Sequence, residues 1–130
     1  MIAYDSRATR GSMIADDDSN KRVTVKGVDF FFCGCFADVE HLVKGYFERV
    51  RVDRTADICA FIVSNGDVVK AGIDNGVYWG QSASKIDAIG SGSAHALTAM
   101  DCGLSAKDAV KMAARRDTCT GGTIRTFKVA

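Results

Sequence analysis

Acidic and basic side chains near the start of the sequence are of the types that form an acid–base pair. Asp5 and Arg7 stand close together, and Lys21 and Arg22 follow a polar segment. An ammonium group beside a carboxylate is stabilised in its charged form, and it favours the neutral form of a neighbouring amine. The same residues also fit an ordinary solvated surface or an ion pair at a strand end, so the residue types alone leave the chemistry open.

A second group of polar residues lies beside glycines in the C-terminal half. Ser91 stands between two glycines ahead of a helical segment, and Asp117 and Thr120 precede Gly121–Gly122. A glycine loop before a helix can bind an anion, but this one lacks the Lys-Ser/Thr ending of a nucleotide-binding P-loop. Asp117 and Thr120 could equally cap a helix and shape a turn.

Composition excludes several classes of protein. The 130 residues are 47% hydrophobic and 25% charged, which is ordinary for one globular domain. A net charge of +1 predicts no nucleic-acid or membrane partner. The apolar runs are far shorter than the roughly 20 residues of a membrane span, and no signal peptide is visible. We therefore expect a single cytoplasmic domain over residues 1–130.

Cysteine and aspartate side chains are common metal ligands, but their pattern here does not predict a metal site. An odd number of cysteines in apolar segments predicts reduced, buried thiols without a disulfide framework. Zinc would need further ligands, and only His41 and His95 are available. The acidic run Asp16–Asp18 lacks the later Gly and Glu of a calcium loop and indicates a solvated turn. We expect no metal and no cofactor. The cysteines are Cys33, Cys35, Cys59, Cys102 and Cys119.

Hydrophobic periodicity predicts the elements that must position these residues. Apolar side chains spaced by three and four predict a helix over 39–50, and the basic cluster over 49–54 is expected to be its solvated end. Small residues over 93–102 predict a second helix, and Ser105 is placed to cap a third. Apolar runs separated by glycine-containing turns predict hairpin strands. This order indicates antiparallel sheets covered by helices.

Two ordered stretches resemble the proteasome β-type and HslV-type N-terminal-nucleophile hydrolases, above all the short proteasome-like proteins of bacteria and phages. The first stretch is Ala3–Gly11 with Asn20–Val23 after it. The second is Ala88–Gly92, followed by the helix pair and Arg116–Gly122. Between them lies the segment Cys33–Asp38. It contains Gly34 ahead of Ala37 and Asp38, and the family likewise has a glycine before its own Ala-Asp pair. The resemblance covers most of the chain in the family's order.

This resemblance implies an α+β fold, a four-layer αββα sandwich from which the family's first strand is missing. It also implies a threonine-type peptidase subunit acting on peptides or unfolded proteins. Such a subunit would work in a homo-oligomeric ring, in the cytoplasm of a bacterial cell or a phage-infected host, with an unfoldase ATPase as a further partner. We expect five apolar residues to lie in the core between the two sheets, namely Phe30, Phe32, Ile58, Phe61 and Phe127.

The family's chemistry gives the N-terminal residues their roles. An N-terminal threonine supplies the hydroxyl nucleophile, and its own α-amine, with a pKa near 7.7–8.0, acts as the base. By resemblance Lys21 is the ammonium beside that amine, Asp5 holds it and Arg7 supports the pair. Aligning the family's pair of basic residues, which precedes a β-branched residue, would assign the role of the ammonium to Arg22 instead. We favour Lys21 because an arginine is bulkier and cannot lose its proton.

The remaining site residues are also assigned by resemblance. The backbone N–H of Gly34 is the expected oxyanion donor, and Ser91, Asp117 and Thr120 form the polar group near the N-terminus. All these residues are expected to converge in space. The catalytic candidates are Asp5, Arg7, Lys21, Gly34, Ser91, Asp117 and Thr120.

The sequence departs from the family at its first residue. Met1 has neither a hydroxyl nor a thiol, and Asp5 follows it too soon for a complete first hairpin. Two interpretations stay open. Either the natural product begins further upstream with a threonine, or the protein is a non-catalytic scaffold or partner-binding module on the same fold.

The sequence predicts that the chain beginning at Met1 is inactive, because it lacks an attacking hydroxyl or thiol at its N-terminus. Incubation with fluorogenic peptides and a threonine-reactive epoxyketone should give neither turnover nor a covalent adduct by intact mass. A stoichiometric adduct on this chain would contradict the prediction.

Overall fold

The computed structural model describes residues 1–52 and 55–130, whose contacts group into two compact units. The first unit comprises residues 1–21 and 85–130, and the second comprises residues 22–84. Both units contain helices and antiparallel strands, so the elements are those of an α+β fold. The four-layer sandwich stays a prediction. No helix in the described ranges is long and apolar enough to cross a membrane.

The described part of the second unit is built on an antiparallel sheet of five strands, which lie side by side in chain order. Hairpin turns connect most neighbouring strands, and the turn residues Asn65 and Asn75 have positive φ, each followed by a glycine with positive φ. This conformation matches the twist of the flanking strands, so the predicted hairpins are confirmed. The strands are β4 (Arg22–Val25), β5 (Val28–Gly34), β6 (Ile58–Ser64), β7 (Asp67–Asp74) and β8 (Val77–Ser82).

The helix α1 (Val39–Glu48) follows a short 3-10 helix at Phe36–Asp38 and packs with one face of this sheet. Leu42 is completely buried, and the ring of Tyr46 meets that of Phe30 edge-on at 5.4 Å between centroids. The apolar stripe predicted from the sequence is thus the packed face of the helix.

Strand alternation corrects one prediction about the core. Phe30 and Phe32 belong to the cluster packed with α1. Phe61 pairs directly with Phe31, and successive side chains of a strand point to opposite faces. Phe61 therefore lies on the other face from Phe30. The prediction that Phe30, Phe32 and Ile58 pack between two sheets is wrong, because they pack in the cluster that includes α1.

The basic cluster at the end of α1 is only partly solvated. Arg49 ends the helix with positive φ, and its guanidinium lies 4.2 Å from the centroid of the Tyr78 ring. This cation–π contact holds the end of α1 to β8. Residues 53–54 of the cluster lie outside the described residues.

The first unit combines two short strand pairs with two helices. Strand β1 pairs with β9, and β2 with β3. The β2–β3 hairpin was not predicted from the sequence. Its elements are β1 (Ile2–Tyr4), β2 (Ala8–Arg10), β3 (Met13–Asp16), α2 (Ser93–Asp101), α3 (Ala106–Ala114) and β9 (Arg125–Phe127).

Small side chains let α2 and α3 approach closely. Ala96 and Ala99 of α2 are buried together with Ala109 and Ala113 of α3. The predicted cap is confirmed, because the Ser105 hydroxyl accepts a hydrogen bond from the backbone N–H of Asp108 at 3.2 Å. The helix pair lies between two residues of the candidate site, since Ser91 precedes α2 and Asp117 follows α3.

The prediction of buried thiols is wrong for most of the cysteines. Cys35, Cys102 and Cys119 are exposed, whereas Cys33 and Cys59 are half-buried. Cys102 and Cys119 follow the ends of helices and Cys35 follows the end of β5, where the chain turns away from the packed core.

Replacing Leu42 with alanine should lower the free energy of unfolding by about 2–5 kcal/mol, because it leaves a cavity between α1 and the sheet. Chemical denaturation measures the change. Val50→Ala is the control, since Val50 is 50% exposed, and it should change stability by no more than about 0.5 kcal/mol. Equal effects of the two substitutions would contradict this account of the core.

Candidate functional site

The Asp5 carboxylate, just after β1, is the centre of the candidate site in the first unit. One oxygen, Oδ1, lies 2.7 Å from the Lys21 ammonium, and Oδ2 accepts the backbone N–H of Gly121 at 2.9 Å. The side chains of Lys21 and Asp5 are only 12% and 14% exposed. Both carboxylate oxygens are engaged, which fixes the position of the ammonium.

Arg7 stands next to this pair and is held at three points. Its Nε and Nη2 donate to the two carboxylate oxygens of Asp17 at 2.8 and 3.1 Å, and Nη1 donates to the Thr118 carbonyl at 3.1 Å. The hydrogen bond from Arg7 lowers the pKa of Asp17, and the same bond raises the pKa of Arg7. A Cβ atom at Gly121 would lie 2.5 Å from the Arg7 guanidinium carbon, so a larger residue there would displace the Arg7 side chain.

Asp117 organises a second cluster just after α3. Its Oδ2 accepts the hydroxyls of Ser91 at 2.6 Å and of Thr120 at 2.7 Å, and its Oδ1 accepts the backbone N–H of Cys119 at 3.2 Å. Burial acts to raise the pKa of Asp117, but the hydrogen bonds from Ser91 and Thr120 outweigh it, and the pKa falls below its ordinary value. The carboxylate is therefore kept charged.

The segment 117–121 joins the two clusters. Thr120 bonds to Asp117, and the next residue, Gly121, bonds to Asp5. The structure therefore brings most of the sequence-predicted residues together in the first unit. These are Asp5, Arg7, Lys21, Ser91, Asp117 and Thr120.

The structure separates the two basic candidates. Lys21 bonds to Asp5, whereas the guanidinium of Arg22 donates to Asp29 Oδ1 from Nε at 3.0 Å and Nη2 at 2.8 Å. The geometry thus favours Lys21 as the cation of the site. Gly34 belongs to the second unit, where it ends β5 with φ of 110°.

A polar network around the buried Ser6 was not predicted from the sequence. Ser6 is fully buried, and its hydroxyl donates to the Thr123 carbonyl and accepts from Arg125 Nη1 at 2.5 Å. Arg125 also donates to the Ser19 carbonyl at 3.0 Å and to Asp18 Oδ1 at 2.6 Å. Nothing in the local sequence indicated that Arg125 bonds to residues near the start of the chain.

The acidic run Asp16–Asp18 is therefore more than the solvated turn that we expected. Asp16 caps its own turn by accepting the backbone N–H of Asp18 at 2.8 Å, while Asp17 and Asp18 bind Arg7 and Arg125. Carboxylates paired with guanidinium groups hold the segment that leads to Lys21. Among residues 1–52 and 55–130, no group of His, Cys, Asp or Glu side chains is arranged to hold a metal ion.

The arrangement can control the protonation of a group placed beside it. A fixed ammonium lowers the pKa of a neighbouring amine, and the hydroxyls of Ser91 and Thr120 are held in place by Asp117. The site thus offers one positive charge at a fixed position and a set of oriented polar groups.

Comparison with known proteins relates the chain to solved structures. Two structures of Thiobacillus denitrificans BPH, one of them in complex with epoxomicin, superpose on it with TM-scores of 0.72 and 0.71 at 18% and 17% identity. The alignments cover 98% of this chain and 91% and 92% of the BPH chains. This similarity shows a shared fold. Neither a protein-family model nor a curated protein matches the chain.

Asp117 should make folding stability depend on acid pH. Because its pKa in the folded protein lies below the ordinary value of 3.8, its stabilising contribution is complete above that value and is lost as the pH falls through the folded-state pKa. The stability advantage of the wild type over Asp117→Asn should therefore shrink in acid.

Urea denaturation between pH 7 and pH 3 measures this difference. Asp101→Asn, at the exposed end of α2, serves as the matched control and should follow the wild-type pH profile. Parallel profiles for the wild type and Asp117→Asn would contradict a stabilising charged Asp117.

Proposed function

We propose that this chain is a threonine-type peptidase subunit of the proteasome β-type and HslV-type N-terminal-nucleophile class, with the four-layer αββα fold of that class. The observation that carries the proposal is the Lys21 ammonium held 2.7 Å from Asp5, next to the Ser91–Asp117–Thr120 cluster. An enzyme whose base is an α-amine needs such a fixed positive charge beside it. The fold shared with BPH, which binds the proteasome inhibitor epoxomicin, supports the proposal.

In this mechanism an N-terminal threonine, which Met1 does not supply, provides both the nucleophile and the base. Its neutral α-amine takes the proton from its hydroxyl as the oxygen attacks the substrate carbonyl carbon. The protonated amine then gives that proton to the departing peptide nitrogen. Water, activated by the same amine, hydrolyses the resulting ester and restores the threonine.

The residues of the chain act on these steps through charge and position. Lys21 keeps the α-amine neutral, and Asp5 holds Lys21 in place. Ser91 and Thr120, ordered by Asp117, orient the amine. The Gly34 N–H is assigned to the developing oxyanion, where removing one such donor typically costs about 10²–10³ in rate.

Exposed apolar side chains support assembly into a homo-oligomer. Met13 is 63% exposed and Ile14 is 52% exposed, both on β3, so each face of this hairpin offers an apolar side chain to a neighbouring subunit. We place the subunit in a ring that degrades peptides or unfolded proteins in the cytoplasm, with an unfoldase ATPase as its partner.

The same exposed hairpin supports a second candidate function, a non-catalytic scaffold or partner-binding module. In that case the Asp5–Lys21 pair and the Asp117 cluster would only stabilise the fold. The two candidates differ in whether the protein carries a reactive N-terminal group.

Epoxomicin labelling of the natively expressed protein, with its natural N-terminus, tests the choice. We expect a stoichiometric adduct by intact mass. Lys21→Ala should slow its formation by about 100-fold or more, the usual lower bound for losing control of an acid–base step. Lys107→Ala, an exposed lysine on α3, should label at the wild-type rate.

Circular dichroism of each variant separates a chemical effect from unfolding. A folded native protein that forms no adduct would favour the scaffold. Equal labelling of folded Lys21→Ala and wild type would overturn the role assigned to Lys21 while leaving a reactive N-terminus in place.

A further inference from the structure

Two half-buried cysteines face each other across neighbouring strands of the second unit. Cys33 on β5 is paired in register with Cys59 on β6, and their sulfur atoms are 3.0 Å apart. The sequence separates them by 26 positions, so their proximity is decided by the strand register. Neither cysteine is part of a disulfide.

The backbone geometry of this pair suits a disulfide. Residues directly opposite each other in antiparallel strands have Cα atoms about 4.5–5.5 Å apart, within the roughly 4.4–6.8 Å of natural disulfides. Closing the bond would need the sulfur atoms to move by about 1 Å, to the usual S–S length of about 2.05 Å. Rotation of the side chains can supply this movement without a shift of the strands.

We propose that Cys33 and Cys59 form a redox modification site, closing reversibly to a cross-strand disulfide when the protein meets hydrogen peroxide. The inference does not depend on the proposed peptidase function. It goes beyond the expectation of reduced, buried thiols, because an opposed pair of thiols has a chemistry that a single buried thiol lacks.

The reaction balances with peroxide as the oxidant. The Cys59 thiolate attacks one peroxide oxygen, the O–O bond breaks, and the products are a sulfenic acid and hydroxide. The Cys33 sulfur then attacks the sulfenic sulfur, the S–OH bond breaks, and the hydroxyl leaves as water with the Cys33 proton. Overall, two thiols and one peroxide give one disulfide and two waters.

The local environment favours Cys59 as the first thiol to react. The hydrogen bond from the Cys33 thiol lowers the pKa of Cys59 below its ordinary value, although partial burial and the nearby Asp57 carboxylate oppose this effect. The reactive form of cysteine is the thiolate. Peroxide is small enough to reach a half-buried sulfur, whereas a bulky disulfide reagent is hindered there.

The bridge would lie at the end of the strand pair. Gly34, next to Cys33, is paired with Ile58, next to Cys59. The backbone N–H of Cys35 donates to the Asp57 carbonyl at 2.6 Å. A disulfide at this point would join the strands beside the residue where β5 ends and the chain turns toward α1.

Peroxide treatment of the folded wild-type chain, followed by alkylation and non-reducing peptide mapping, tests the proposal. We expect a monomer that has lost two hydrogens, with a link between the peptides holding Cys33 and Cys59, and full reversal by dithiothreitol. Cys35→Ser is the matched control, because Cys35 is exposed and two positions from Cys33, and this variant should still form the link. Cys33→Ser should not form it.

Three outcomes would overturn the proposal. The first is a link that survives in Cys33→Ser but disappears in Cys35→Ser, which would make Cys35 the partner. The second is oxidation confined to chains joined through the exposed thiols. The third is conversion of Cys59 to sulfinic acid in the wild type without any link. The wild-type map decides the matter even if a variant fails to fold.

Discussion

The first unit depends on the Asp5 carboxylate, which binds a side chain with one oxygen and the backbone with the other. Lys21 and the Gly121 N–H occupy the two oxygens at 2.7 and 2.9 Å. Taking an ion pair out of water is costly unless further hydrogen bonds satisfy its atoms. Since both oxygens are satisfied, the pair can be 12–14% exposed and still hold its two partners in place.

Two arginines extend this constraint to the surrounding segments. Arg7, two positions after Asp5, binds Asp17, and Arg125 joins the buried Ser6 hydroxyl to the exposed Asp18. At Ser6, which is fully buried, a polar atom left unpaired would be costly, so this end of the network favours one arrangement. The site geometry is thus set by charged hydrogen bonds. The packing of small residues between α2 and α3 holds the helix that Asp117 follows.

The second unit is organised by a different kind of contact. Its sheet and α1 bury a continuous apolar cluster that includes Phe30, Leu42 and Ile62. Here burial of apolar surface supplies the stability, and the strand register decides which side chains meet. That register places Phe30 with the helix, puts Phe61 on the other face, and sets Cys33 opposite Cys59.

The sequence by itself determined the features that depend on neighbours along the chain. The stripe of α1, the Ser105 cap and the Asn-Gly turns follow from side chains within a few positions of one another. The resemblance to a known family added the pairing of Asp5 with Lys21. Only the tertiary structure decided the Arg125–Ser6 bond, the opposed thiols and the face of Phe61, because contacts between distant segments depend on register and packing and leave no periodic signal in the sequence.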